Sequence, residues 1–264
     1  MEIIIFSSEK EVFEEASSRV VGWIQKKPNA VLGLATGKTM LGIYKNLIAR
    51  HQKGRVDFSA ARTVNLDEYL GMDPEDPLSF HSYMFQHFFR HVNLKRENIL
   101  IPDPLPDDVE GECEAYEKAI RDWEGVDVQL LGIGRDGHIG FNEPSSSLQA
   151  RTRVKTLTDE TLKDNFGSRK GPRFAITMGI GTIMDAREII LVALGTEKAK
   201  AVSSMVEGPV SASCPASVLQ LHPRVKVILD TRAAHLLERK DYYVWVWEHK
   251  KEAVKPHFLS QRKK

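Results

Sequence analysis

Between Gly132 and Pro144 the chain reads Gly-Ile-Gly-Arg-Asp-Gly-His-Ile-Gly-Phe-Asn-Glu-Pro. This stretch places Asp136, His138 and Glu143 on one short loop, with glycines at 132, 134, 137 and 140 keeping the backbone bare around them. An imidazole between two acids can hold and move a proton, because a carboxylate fixes the ring tautomer and raises its basicity. The plain alternative is a hydrogen-bonded structural histidine. One histidine and two acids could also ligate a divalent ion. However, no second histidine stands at ligand spacing, and Cys113 and Cys214 are remote in sequence, so no metal is expected.

Three further polar turns follow apolar runs. Thr36-Gly37-Lys38-Thr39 opens a helix after residues 30–35. Exposed N–H groups at a helix start, with hydroxyls and an ammonium nearby, suit one phosphate monoester. The stretch starting at Gly33 looks like a nucleotide P-loop but has three residues, not four, before its Gly-Lys-Thr. Asp67-Glu68 follows a short apolar run, and a carboxylate there can serve as a general base if desolvated. Gly195-Thr196-Glu197-Lys198 opens another helix.

Elements must bring these turns together. Apolar runs of strand length at residues 2–6, 30–35, 63–66, 126–133, 153–157, 175–178, 189–194, 225–229 and 243–247 alternate with helix-length amphipathic stretches, including 10–25, 39–51, 79–91 and 107–123. Strands this apolar, separated by helices, predict an α/β fold: three layers, Rossmann-like, around a mostly parallel central sheet. Ligands of such sheets gather beyond the carboxyl ends of the strands. The polar, weakly patterned stretch 163–172 reads as part of a small lid, about 155–175, on a single domain of 1–264.

The chain has 264 residues, 42% hydrophobic, with 37 basic and 36 acidic side chains. This balance calls for neither a nucleic-acid nor a membrane surface. Two widely separated cysteines, no signal-like segment and no span-length apolar run make a cytoplasmic protein the expectation.

Taken in order, the motifs resemble the glucosamine-6-phosphate deaminase (isomerase) family. The resemblance rests on residues 34–39 (Leu-Ala-Thr-Gly-Lys-Thr), 65–69 (Asn-Leu-Asp-Glu-Tyr), 134–144, 147–157, 177–182, 194–199 and 219–223 (Leu-Gln-Leu-His-Pro). It runs from near residue 1 to about residue 230. It implies a modified Rossmann-like domain that needs neither metal nor organic cofactor and converts glucosamine 6-phosphate and water to fructose 6-phosphate and ammonia. Asp67 matches the base that removes the C2 proton. Asp136, His138 and Glu143 match the ring-opening group, His138 carrying the proton and the two acids holding it. Thr36, Gly37, Lys38, Thr39 and Lys198 match the phosphate cradle, with Glu68 and Gly132 lining the substrate site.

The chain also departs from the family. Its phosphate turn is Thr-Gly-Lys-Thr-Met where the family has Thr-Gly-Gly-Thr-Pro or Thr-Gly-Ser-Thr-Pro. The lid is short, and Arg169 and Arg173 are the candidates for its phosphate-binding arginine. Ser146, Arg153 and Lys155 match the site through which N-acetylglucosamine 6-phosphate regulates some members, part of which are homohexamers. The competing functions are a 6-phosphogluconolactonase-like hydrolase, which shares the Asp-Gly-His turn, and a non-catalytic sugar-phosphate sensor of the same fold.

Overall fold

A computed structural model describes residues 1–167 and 170–253. The chain runs β1 (Glu2–Phe6), α1 (Glu9–Lys26), β2 (Val31–Leu34), α2 (Lys38–Gln52), β3 (Arg62–Asn65), β4 (Asp67–Tyr69), α3 (Phe80–His87), β5 (Ile99–Leu100) and α4 (Val109–Asp122). It continues through β6 (Val128–Leu131), β7 (Arg153–Thr156), α5 (Asp159–Phe166), β8 (Phe174–Thr177), α6 (Ile180–Met184), β9 (Glu188–Ala193), α7 (Ala199–Val206), β10 (Val225–Asp230) and α8 (Lys240–Ala253).

Seven strands form one sheet in the order β1-β10-β9-β6-β2-β3-β5, every neighbouring pair parallel. Its inner strands, such as Val31–Leu34 and Val128–Leu131, are buried at every residue. That is why they read as continuous apolar runs, with helices covering the sheet. A second sheet, β4-β8-β7, is antiparallel. It carries its own small apolar cluster of Tyr69, Phe141, Leu157, Leu162 and Ala175.

Helix starts follow local chemistry. Ser8 and Glu11 form a reciprocal capping box on α1, and Asp108, Ser79 and Thr158 cap α4, α3 and α5. The start of α2 has no side-chain cap.

Three expectations change. Residues 243–247 are not a strand but part of α8. Tyr243 and Trp247, four apart, pack on the core while Tyr242 and Trp245 face solvent, so a helical pair had produced the apparent alternation. The strands at 153–156 and 174–177 leave the parallel sheet for the antiparallel one. Within the lid segment, residues 159–166 are a capped helix that ends at Gly167, a left-handed position (φ 68°). Arg169 and residues 254–264 lie outside the described residues.

Candidate active site

The carboxyl ends of four adjacent strands, β9, β6, β2 and β3, carry the four polar turns. Asp67 does not simply end β3. Leu66 leaves the main sheet, its N–H still bonded to Leu34 O (3.0 Å) and its carbonyl accepting from Met178 N–H (2.7 Å). Asp67 then opens β4, paired with Thr177 of β8. This change of sheet buries the side chain, which is only 6% exposed. Among the described residues nothing donates a hydrogen bond to its carboxylate. Burial, and then repulsion from Glu68, push its carboxyl up to about 8.

Glu68 has a different position from the one the sequence suggested. Its carboxylate is fully buried and accepts from the backbone N–H groups of Tyr69 (2.8 Å), Phe80 (3.0 Å) and His81 (2.7 Å). Both oxygens are thereby committed to β4 and the start of α3. Burial raises its carboxyl above the ordinary value, in part offset by these N–H groups. The geometry makes Glu68 a positioning residue rather than a substrate ligand.

The turn after β6 lies against Asp67. A Cβ on Gly140, whose φ is +56°, would sit 3.5 Å from Asp67 Oδ2 and 3.0 Å from Thr177 Oγ1. Phe141 N–H donates to the same Thr177 hydroxyl (3.1 Å). The bare backbone of Gly140 thus lets the loop approach the buried acid. The imidazole of His138 lies over Gly134, where a Cβ would come within 2.3 Å of the ring. His138 Nδ1 stands 2.7 Å from Asp136 Oδ1, a close contact out of line for a straight hydrogen bond. The His138 backbone N–H donates to the same oxygen (3.1 Å). Burial acts to raise the Asp136 carboxyl, but the contacts with His138 outweigh it and hold it below the usual carboxylate value.

Glu143 corrects the expectation that two acids hold the histidine. Its Oε1 accepts from Thr158 N–H (3.3 Å), Thr158 Oγ1 (3.1 Å) and Thr161 Oγ1 (2.5 Å). Glu143 therefore anchors the start of α5, and among the described residues Asp136 is the acid within ion-pair distance of the His138 ring.

The anion side of the site surrounds α2. Gly37 has φ +105°, and its carbonyl accepts from Tyr83 OH (2.8 Å). Lys38 is exposed, Thr36 and Thr39 half-buried, and the helix start carries no side-chain capping hydrogen bond. Gly132 lies beside Met40 of this helix, where a Cβ on the glycine would stand 3.9 Å from Met40 Cε. Lys198 follows β9, two strands from β2, and burial pushes its ammonium below the usual value. Arg173 is paired with Asp159 (2.6 Å).

Ser146, Arg153 and Lys155 are not joined to one another by hydrogen bonds. Ser146 Oγ is buried without a partner. Arg153 donates to Asn142 Oδ1 (2.9 Å), and burial lowers its guanidinium from the ordinary value. A groove of about 670 Å³ lined by Cys113, Glu117, Arg121, Arg151, Thr152 and Asp185 contains none of the site residues.

Sequence reasoning passed over Arg135. It stands on the acid–base turn itself and pairs with Asp164 of α5 (2.8 Å). Its charge between Gly134 and Asp136 was the available signal. Among the described residues, no group of three or more His, Cys, Asp or Glu side chains could hold a metal, and no helix is long and apolar enough to cross a membrane.

A parallel α/β sheet, an acid–base turn, a buried carboxylate with no hydrogen-bond donor among the described residues and an uncapped helix start meet at the carboxyl ends of the strands, the arrangement of an acid–base site open to a small anionic substrate. The model of the glucosamine-6-phosphate isomerases/6-phosphogluconolactonase family matches residues 7–228, and the chain belongs to this family. It is 51% identical over 250 residues to a glucosamine-6-phosphate deaminase of Hahella chejuensis, covering 93% of this chain and 95% of that one. The corresponding protein of Thermoanaerobacter pseudethanolicus is 46% identical over 245 residues, covering 91% and 97%. A solved monomeric glucosamine-6-phosphate deaminase superposes with a TM-score of 0.87 at 44% identity, covering 89% of this chain and 100% of that one. The 6-phosphogluconolactonase of Trypanosoma cruzi shares the fold, with a TM-score of 0.75 at 21% identity over 90% of this chain and 97% of that one.

Proposed function

We propose that the chain deaminates and isomerises glucosamine 6-phosphate to fructose 6-phosphate and ammonia. The observation that carries this reading is Asp67, a buried carboxylate without a counter-charge among the described residues, set by Gly140 against the Asp136–His138 turn. An aminosugar phosphate is an anion at one end and an ammonium near the other. The start of α2 and Lys198 suit the anion, and the ammonium supplies the positive charge that Asp67 lacks. An opposite charge within about 4–6 Å lowers a carboxyl pKa by about 1–3 units. The bound substrate therefore helps to ionise its own base. A lactone has no such group, which favours the deaminase over the lactonase reading.

The closed pyranose has no acidic C2 hydrogen. His138, oriented by Asp136, accepts the O1 proton and delivers it to the ring oxygen, breaking the C1–O5 bond and leaving an aldehyde. Asp67 then removes the acidified C2 proton; the C2–H electron pair forms the C1–C2 double bond while the carbonyl pair moves to O1, which takes up a proton given up by the ammonium, leaving an enolamine. Returning that proton to C1 gives an iminium at C2. Water adds there and ammonia leaves, which makes the overall deamination hydrolytic. Each well-placed acid or base contributes roughly 10²–10⁴-fold. Phosphate binding far from the reacting carbons holds the chain in register. Glu143, through Thr158 and Thr161, ties the turn to a lid of about residues 155–175, whose closure excludes water. The single-domain organisation, a cytoplasmic location and action without metal or cofactor belong to the same proposal.

The test is to supply glucosamine 6-phosphate and measure ammonia and fructose 6-phosphate together. Stoichiometric formation of both is expected. No product above an Asp67→Asn control, or hydrolysis of 6-phosphogluconolactone instead, would overturn the proposal.

A further inference from the structure

Of the two expected lid arginines, Arg169 lies outside the described residues and Arg173 is already ion-paired. Arg173 is engaged with Asp159, Arg151 with Asp185, and Arg153 with Asn142. Arg135 is differently placed. It extends from the turn after β6, the strand between β2 and β9. The strand on one side leads into the uncapped start of α2, and the strand on the other leads to Lys198. Gly132, three residues before Arg135, is already beside Met40 in the first turn of α2. The charges acting on Lys198 are Glu197, Arg135, Asp164 and Asp136, so the guanidinium and the ammonium share one patch.

The partner of Arg135 carries the argument further. Arg135 Nη2 meets Asp164 Oδ1 at 2.8 Å, with the two side chains 62% and 45% exposed. An ion pair this open is held weakly and is readily exchanged. A carboxylate offers a guanidinium the same oxygen geometry that a phosphate does, but with less charge. Lysine and a helix start supply point charge and N–H groups, while an arginine fork adds bidentate recognition that neither provides.

We propose that Arg135 binds the substrate phosphate, and that Asp164 of α5 occupies its guanidinium until phosphate displaces it. The arginine comes from the acid–base turn rather than from the lid. Phosphate binding and the position of Asp136 and His138 are thereby set by one loop, and the release of Asp164 frees α5 to move. The assignment rests on the sugar-phosphate reading of this site.

Opposite signs distinguish this exchange from a static strut. Inorganic phosphate is titrated against the full chain and followed by ³¹P NMR, and KM and kcat for glucosamine 6-phosphate are measured in parallel. Arg135→Met should weaken phosphate binding and raise KM by roughly 10- to 100-fold, with kcat changed far less. Arg135→Lys should fall between it and the parent. Asp164→Asn removes the competing carboxylate and should tighten phosphate binding by about 2- to 5-fold. Weaker binding in both Arg135→Met and Asp164→Asn would make the pair a strut and overturn the proposal. Phosphate affinity unchanged in Arg135→Met would do so as well. A parent chain that binds phosphate but releases no ammonia would remove the deaminase reading while leaving Arg135 to be judged by the titration.

Discussion

Two aspartates are buried near opposite edges of the central sheet, one at the amino ends of its strands and one at the carboxyl ends, and their surroundings could hardly differ more. Asp127, fully buried just before β6, accepts from Val31 N–H (2.8 Å) and pairs with Lys27 (2.8 Å) and Arg187 (3.3 Å). Asp67, just past the carboxyl end of β3, has no hydrogen-bond donor or cation on it among the described residues, and Glu68 beside it adds repulsion. Burial is nearly the same, so counter-charge separates a structural acid from a reactive one. A paired carboxylate holds the amino edge of the sheet together. An unpaired one resists ionisation, its carboxyl pushed up to about 8, until a cationic substrate arrives.

The sharpest way to break this contrast is to remove one oxygen charge from each. Asp67→Asn should lower kcat by roughly 10²–10⁴-fold with the fold intact. Asp127→Asn should leave kcat within about twofold but lower stability by about 1–3 kcal/mol in urea denaturation, because Lys27 and Val31 N–H lose their acceptor charge. Comparable loss of turnover in both variants would erase the distinction.

Glycine placement is the next largest effect. In Gly134→Ala the new methyl would meet the His138 ring at 2.3 Å and must turn it from Asp136. A misplacement of about 1 Å is worth roughly 10²-fold in kcat. The matching readout is KM, which should change far less than kcat because the new methyl meets the His138 ring. A large rise in KM with kcat preserved would show that the ring is not the group displaced.

The smallest effect concerns pH, and its direction follows from the raised carboxyl of Asp67. Its ordinary value is 3.8 and its folded value is about 8. The folded chain therefore holds more protons than the unfolded chain between these two pH values. Asp67 makes stability fall as pH rises through that window. Asp67→Asn should remove this slope and leave the variant more stable by about 1–3 kcal/mol near pH 8, read from thermal or urea midpoints across the range. In the free enzyme, kcat/KM should climb on an acid limb near 8, since the base must be ionised to act. A limb near the ordinary carboxyl value would place a counter-charge beside Asp67 that the structure does not contain.

Much of the molecule was legible from local chemistry. Buried parallel strands advertised themselves as apolar runs, and Ser79 marked a helix start. Glycine spacing announced a turn where backbone and imidazole come close. Residues 243–247 misled because aromatic residues four apart on a helix also alternate when read in twos. The antiparallel sheet was hidden because β4 is three residues long and its partners come from far along the chain. Glu143 and Glu68 were grouped with the site by adjacency, yet one holds Thr158 and Thr161 and the other holds the start of α3.

Order along the chain was enough to settle the elements, the succession of polar turns and the types of residue available for acid–base work, since these depend on near neighbours. Folding in three dimensions was needed to choose which acid remains unpaired, which one touches His138, and which arginine shares a patch with Lys198. Those outcomes depend on desolvation and on charges brought together by strand order. Asp67 and Asp127 are the same residue type, each beside a short apolar run, and only their tertiary surroundings leave one unpaired among the described residues and make the other a brace.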